Sequence, residues 1–308
     1  MRAAFANTII ELATGDPRVL LLTGDLCYTV LESFAQRFPK RFFNLGVAEQ
    51  NMVGVATGLA EAGLIPFVYS IVTFATLRPY EFIRNGPVQH RLPVRIVGVG
   101  GGVEYGNNGL SHYGLEDVAV MRAQPGLTVI APADHQQARA AIQASWQLPG
   151  PVYYRLGKDD QTVVPGLDGR FELGKVQRIG HGSDLLFIAM GNVAKDAVAA
   201  MQTLAGQAVS CSVVIVAHVN AAPIEELARI LSQFPVVITV EAHYVSGGVG
   251  SLIAEIIAEG GIRCRLLRCG FRENPGGITG SQAYLHQRFG ISPEKLADTA
   301  LAAVGKTR

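Results

Sequence analysis

The chain has 308 residues, 49% of them apolar, and its 26 basic and 25 acidic side chains leave a formal net charge of +1. Such balance removes the electrostatic reason for a nucleic-acid or anionic-membrane partner, while the length allows two hydrophobic cores. No run approaches the ~20 apolar residues of a membrane span and Met1–Asn7 lacks the apolar stretch of a signal peptide, so the default expectation is a cytoplasmic protein.

Arg18–Thr23 is a short continuous apolar run that stops at Gly24-Asp25, the pattern of a strand buried on both faces of a parallel sheet. Runs of the same kind follow at Pro66–Ile71, Val94–Val99, Thr128–Ala131, Asp184–Ala189, Ser212–Ala217, Val236–Val240 and Cys264–Leu267. Helical segments lie between them, such as Asp134–Trp146, where Asp134 can cap the N-terminus and apolar residues recur at helical spacing. This alternation predicts α/β layers with right-handed crossovers. From Gly157 to Gly174 turn formers and charge predominate, which predicts a linker between separately packed units. The cysteines, Cys27, Cys211, Cys264 and Cys269, are spaced for neither a zinc site nor a redox pair and read as reduced, mostly buried thiols.

The segment Asn44-Leu45-Gly46-Val47-Ala48-Glu49-Gln50-Asn51-Met52-Val53-Gly54 carries the chemistry. A turn leads into a helix with one carboxylate in its first turn and small or apolar residues after it, so Glu49 is expected to meet a largely dry surface. A carboxyl group so placed is prone to stay protonated, and a neutral acid can share a proton with a nitrogen heterocycle. The competing account is a carboxylate that serves only the helix dipole.

Residues Arg41 to Met52, continuing through Gly54, Gly58, Ala62-Gly63 and Pro66, closely resemble the pyrimidine-binding domain of the transketolase family. The resemblance runs on through Thr73-Phe74, Arg78, Glu81, Ile83-Arg84, Gly109-Leu110-Ser111-His112, Glu116-Asp117 and Pro151–Gly157. Farther on, Gly191–Ala194, Glu241–His243 and Gly247–Gly250 resemble the small C-terminal domain of transketolases. The resemblance implies an α/β chain of two consecutive parallel-sheet domains. These are a thiamine-diphosphate pyrimidine-binding domain over residues 1–157 and a transketolase C-terminal-like domain over 174–308, joined by a linker at 158–173.

By the same resemblance, Glu49 hydrogen-bonds N1′ of the thiamine aminopyrimidine and drives its 4′-amino group toward the imine that takes the proton from thiazolium C2. Phe74 stacks on the pyrimidine and Leu26 packs near the thiazolium ring. His112, at the end of the glycine-rich loop that starts at Gly98, donates a hydrogen bond to a substrate oxygen. That loop opens no amphipathic helix, which argues against a dinucleotide site. Arg155 holds the distal, often phosphorylated end of the sugar, and Arg2 and Thr29 align with an Arg and a Ser for the donor phosphate. Asn108 stands where the family has Asp, Ser111 where it has Thr and Tyr113 where it commonly has Gln. Glycine, around Gly100, stands where full-length members have a histidine for the sugar phosphate.

The family holds the cofactor diphosphate through a divalent metal, with Gly-Asp-Gly and a later Asn on a separate domain. Here Gly24-Asp25 is followed by Leu26 and Asp168-Gly169 is preceded by Leu167, so no metal ligand is assigned to this chain. The expectation is the second subunit of a split transketolase dependent on thiamine diphosphate and Mg2+, moving a two-carbon ketol unit from a ketose to an aldose. Its partner would be an N-terminal subunit carrying the metal and diphosphate domain, in an α2β2 heterotetramer. Three other readings stay open: a pyruvate-using acyloin synthase resembling deoxyxylulose phosphate synthase, a non-catalytic partner subunit, and the β subunit of a 2-oxo acid dehydrogenase.

Overall fold

The computed structural model describes residues 1–26 and 30–305. Six parallel strands form the first sheet: β1 (Val19–Thr23), β2 (Phe42–Asn44), β3 (Ile65–Ile71), β4 (Arg95–Val99), β5 (Thr128–Ile130) and β6 (Val152–Leu156). Their spatial order is β2-β1-β3-β4-β6-β5. Every residue of β1, β3, β4 and β6 is buried, which is why their sequences are mostly apolar without alternation, with Arg95 and Arg155 as buried exceptions. Leu20, Leu22, Val68 and Ile96 face Met52, Val53 and Ala56 of helix Glu49–Glu61, whereas Leu21, Phe67 and Val97 face Phe5, Ile9 and Ile142. Helix His135–Ser145 starts as expected, its Gln137 N–H donating to Asp134 Oδ1 at 2.8 Å.

The second sheet contains β7 (Gln177–Ile179), β8 (Leu185–Met190), β9 (Cys211–Ile215), β10 (Val236–Tyr244) and β11 (Arg265–Phe271), in the order β11-β10-β8-β9-β7. It is mixed rather than parallel throughout, because β7 runs antiparallel to β9. Neither β2 nor β7 was foreseen. Each is a three-residue edge strand, too short to establish a period. Cys211 is buried, Cys264 and Cys269 are half-buried, and all three are free; Cys27 lies outside the described residues. Among the described residues, no helix is long and apolar enough to cross a membrane.

Residues 158–173 form a packed strap, not a loose tether. Val164 and Leu167 are fully buried, the Val164 N–H donates to Asp134 Oδ2 at 2.8 Å, and Gln137 Nε2 donates to the Arg170 carbonyl at 2.9 Å. At its end the Gly174 N–H donates to Nε2 of the buried His218, which also bridges to Ile130 of the first sheet. Burial holds the His218 imidazole down at about 4 from an ordinary 6.5. A histidine kept neutral on folding contributes stability above the unfolded value, and that contribution is lost as pH falls toward the folded one. The difference in unfolding free energy between wild type and His218→Gln is expected to shrink by about 3 kcal/mol from pH 6.5 to pH 4. Denaturant titrations of both proteins across that range check it.

Candidate active site

In the first sheet β2 lies on one side of β1 and β3 on the other, so the winding reverses between β1 and β3. Connections leaving the carboxyl ends of two such strands diverge and leave a crevice, the usual ligand position in a parallel α/β sheet. Gly24 to Leu26 follow β1, Ser70 lies near the end of β3, and Phe74 sits in the short helix Val72–Thr76 that comes next. Glu49 begins the helix reached from β2. A Cβ on Gly24 would lie 3.1 Å from Glu49 Oε1, so the glycine lets the carboxylate approach the strand end.

Glu49 is only 1% exposed. Ser70 Oγ donates to its Oε1 at 3.0 Å, and Arg78 Nη1 donates to its Oε2 at 2.8 Å. The surroundings are as dry as the sequence led one to expect but not apolar, since a hydroxyl and a guanidinium meet the carboxyl group. The Arg78 guanidinium carbon also lies 3.7 Å from the centroid of the Phe74 ring, and that ring meets His112 edge-on at 5.2 Å. Glu49, Phe74, Arg78 and His112 therefore form one cluster, drawn from segments separated in the chain. Ser70 and the placement of Arg78 were missed. The available signal was the arginine four residues after Phe74, just past the end of the helix Val72–Thr76, a spacing close to that at which two side chains share a face.

The loop carrying His112 is folded by backbone bonds between Gly102 and Gly114 and pinned by Tyr113, whose hydroxyl donates to the Gly106 and Ile278 carbonyls. Thr73 Oγ1 donates to the Ser111 carbonyl at 3.3 Å, tying the loop to the Phe74 helix. Burial first, and then the Arg78 charge, lower the His112 pKa below its ordinary value. Its Nδ1 lies 3.0 Å from Ser111 Oγ. At Gly100, φ is +84° and an added Cβ would fall 2.1 Å from the Tyr105 ring. A histidine there is incompatible with that tyrosine. Tyr105 instead lines a cavity of about 110 Å³ with Arg2, Leu26, Ser70 and Ile71. Arg2 Nε is buried there without a hydrogen-bond partner. Asn108 is exposed on the turn Gly106–Asn108, and Thr29 lies outside the described residues.

Arg155 lies in β6, beside the second sheet. It is 4% exposed, and its Nε donates to Asp117 Oδ2 at 2.8 Å. Its Nη2 donates to the carbonyls of Gly114 and Ala242, at 2.8 and 2.9 Å. Tyr153 donates to the same Asp117 oxygen at 2.6 Å. Held by these acceptors, the guanidinium clamps the first sheet onto β10. The second sheet reverses its winding between β8 and β10, and Arg155 lies at that crevice, beside Gly191 and Ala242. Glu241 completes the closure by accepting the Val249 and Gly250 N–H groups at the start of helix Val249–Glu259, where an anionic ligand would otherwise sit. Burial pushes that carboxyl up to about 7.

The groups at the crevice of the first unit fit the pyrimidine half of thiamine: a buried carboxylate for a ring nitrogen and an aromatic face beside it, both contacted here by Arg78, with a small cavity adjoining. A metal does not fit in the same way, since among the described residues no group of three or more His, Cys, Asp or Glu could hold one. Two α/β units in this order, with the carboxylate and aromatic ring at the first reversal point, define a class of cofactor-enzyme half. Residues 1–162 match the transketolase pyrimidine-binding domain and residues 174–296 the transketolase C-terminal domain. The chain belongs to the transketolase family.

A putative transketolase C-terminal section of Methanocaldococcus jannaschii is 37% identical over 99% of this chain and 96% of its own length. The 6-deoxy-6-sulfo-D-fructose transketolase subunit SqwH of a Clostridium species is 34% identical over 97% of this chain and 93% of its own. A split-gene transketolase solved as an inactive beta4 tetramer superposes with a TM-score of 0.87 at 32% identity, covering 100% of this chain and 98% of that one.

Proposed function

We propose that this chain is the second subunit of a split transketolase, with residues 1–157 binding the cofactor pyrimidine, 174–308 forming the C-terminal domain and 158–173 strapping them together. The single observation that carries the proposal is Glu49, buried at the reversal point of a parallel sheet with the Phe74 ring in the same cluster. Thiamine diphosphate, when bound, would supply the nucleophilic carbon for transfer of a two-carbon unit from a ketose to an aldose. Glu49 holds and returns a proton at pyrimidine N1′, and Ser70 fixes its Oε1. Phe74 presents its face to the pyrimidine, and Leu26 packs beside the thiazolium. His112, its pKa lowered by burial and then by the Arg78 charge, donates a hydrogen bond to a substrate oxygen, with its Nδ1 beside Ser111 Oγ. Arg2, whose Nε is unpartnered, is assigned to the donor phosphate, as is Thr29 by the family resemblance, and the exposed Asn108 to a sugar hydroxyl.

Mg2+ and the cofactor diphosphate are assigned to an N-terminal partner subunit in an α2β2 assembly. The free thiols among the described residues, Cys211, Cys264 and Cys269, support the cytoplasm as its compartment. The purified chain alone is expected to bind thiamine diphosphate weakly and to transfer no ketol group, as its inactive beta4 relative leads one to expect. Mixing with the partner should restore both in a Mg2+-dependent way. Robust turnover by the chain alone would refute the split-enzyme proposal. Carbon dioxide release from pyruvate, with no transfer from a ketose, would move the assignment to an acyloin synthase.

A further inference from the structure

The Arg78 guanidinium makes two contacts at once: a 2.8 Å ion pair to Glu49 Oε2 and a 3.7 Å stack on the Phe74 ring. A planar, nitrogen-bearing ring bound by Glu49 and Phe74 needs those same two surfaces. The aminopyrimidine and the guanidinium are alike in this respect, being flat, rich in N–H donors and able to stack on an aromatic face. We infer that Arg78 acts as an internal stand-in for the aminopyrimidine, filling its seat in the unliganded chain and leaving it when the cofactor enters. The inference rests on the thiamine-enzyme assignment above and adds a residue to it.

Two features make the exchange workable. Arg78 is 37% exposed, so its head can swing into water while its Glu49 partner, 1% exposed, stays in place. Until the cofactor arrives, the guanidinium spares Glu49 the penalty of a buried, unpaired carboxylate, which would otherwise push the side chain out of the crevice. Cofactor binding is then a replacement of one partner of Glu49 by another. The ion pair and the cation–π contact both have to be broken, which weakens and slows seating of the pyrimidine.

The test uses the complex of this chain with its diphosphate-binding partner, and measures thiamine diphosphate binding by calorimetry and by stopped-flow circular dichroism. Arg78→Ala is expected to tighten binding and speed association by roughly tenfold, the scale of one partly exposed cation–π contact together with an ion pair. Guanidinium ion at low millimolar concentration should refill the vacated slot and slow cofactor association in Arg78→Ala. Wild type should not respond, nor should the variant respond to equal NaCl. Melting temperature and subunit assembly are followed in parallel to confirm that the variant is folded. Equal or weaker binding by Arg78→Ala, or no guanidinium effect, overturns the inference and leaves Arg78 as a residue that positions Glu49. Failure of both complexes to bind thiamine diphosphate would instead refute the thiamine-enzyme assignment itself.

Discussion

Glu49→Gln is expected to slow exchange of the cofactor's C2 proton for deuterium by about 10² or more in the reconstituted enzyme, the usual scale for losing a positioned acid–base group. The amide keeps the shape of the carboxyl and an oxygen for the Ser70 hydroxyl, whose 3.0 Å bond fixes the side chain. It loses the ability to hold and return a proton. Assembly with the partner should survive, because the Arg78 freed by the change is already 37% exposed and can be hydrated. Exchange at the wild-type rate would return Glu49 to the role of a helix-dipole residue. Proton exchange is the chosen measurement because it reads the cofactor activation step before any substrate is present.

Arg155→Ala is expected to lower the unfolding free energy by about 3 to 5 kcal/mol, the range for breaking a buried ion pair by removing one partner. Asp117, 1% exposed, would keep only the Tyr153 hydroxyl, and the Gly114 and Ala242 carbonyls would each lose a donor. Since Gly114 closes the loop that carries His112 and Ala242 belongs to β10, the two sheets should also loosen against each other. Replacing both members of the pair by apolar residues of similar volume, Arg155→Met with Asp117→Leu, should recover part of the loss. Denaturant unfolding of the three proteins measures it. The ratio of kcat/KM for phosphorylated and unphosphorylated acceptors of equal length should not change in Arg155→Ala. A selective loss on the phosphorylated acceptor would restore the sugar-phosphate role and refute the clamp.

The sequence determined what depends on local order. Continuous apolar runs such as Val19–Thr23 and Ile65–Ile71 announced strands covered on both faces, because a strand with no solvent face has no polar alternation to show. Asp134 announced a helix start, and the string around Glu49 placed a carboxylate in a first helical turn at the head of a recognisable motif. The tertiary structure decided which charges meet. Arg78 reaches Glu49 across 29 residues, and Arg155 reaches Asp117 across 38 and the Ala242 carbonyl across 87. Arginine at the end of a strand looks the same in sequence whether it faces a phosphate or closes a crevice between two sheets. The strap shows the same limit: Val164 and Leu167 sit among turn formers, yet both are buried because the neighbouring helix and second sheet offer an apolar surface. Pairing and burial are properties of surfaces brought together by the fold, so a chain's periodicity can specify its elements while leaving the partners of its charges to their packing.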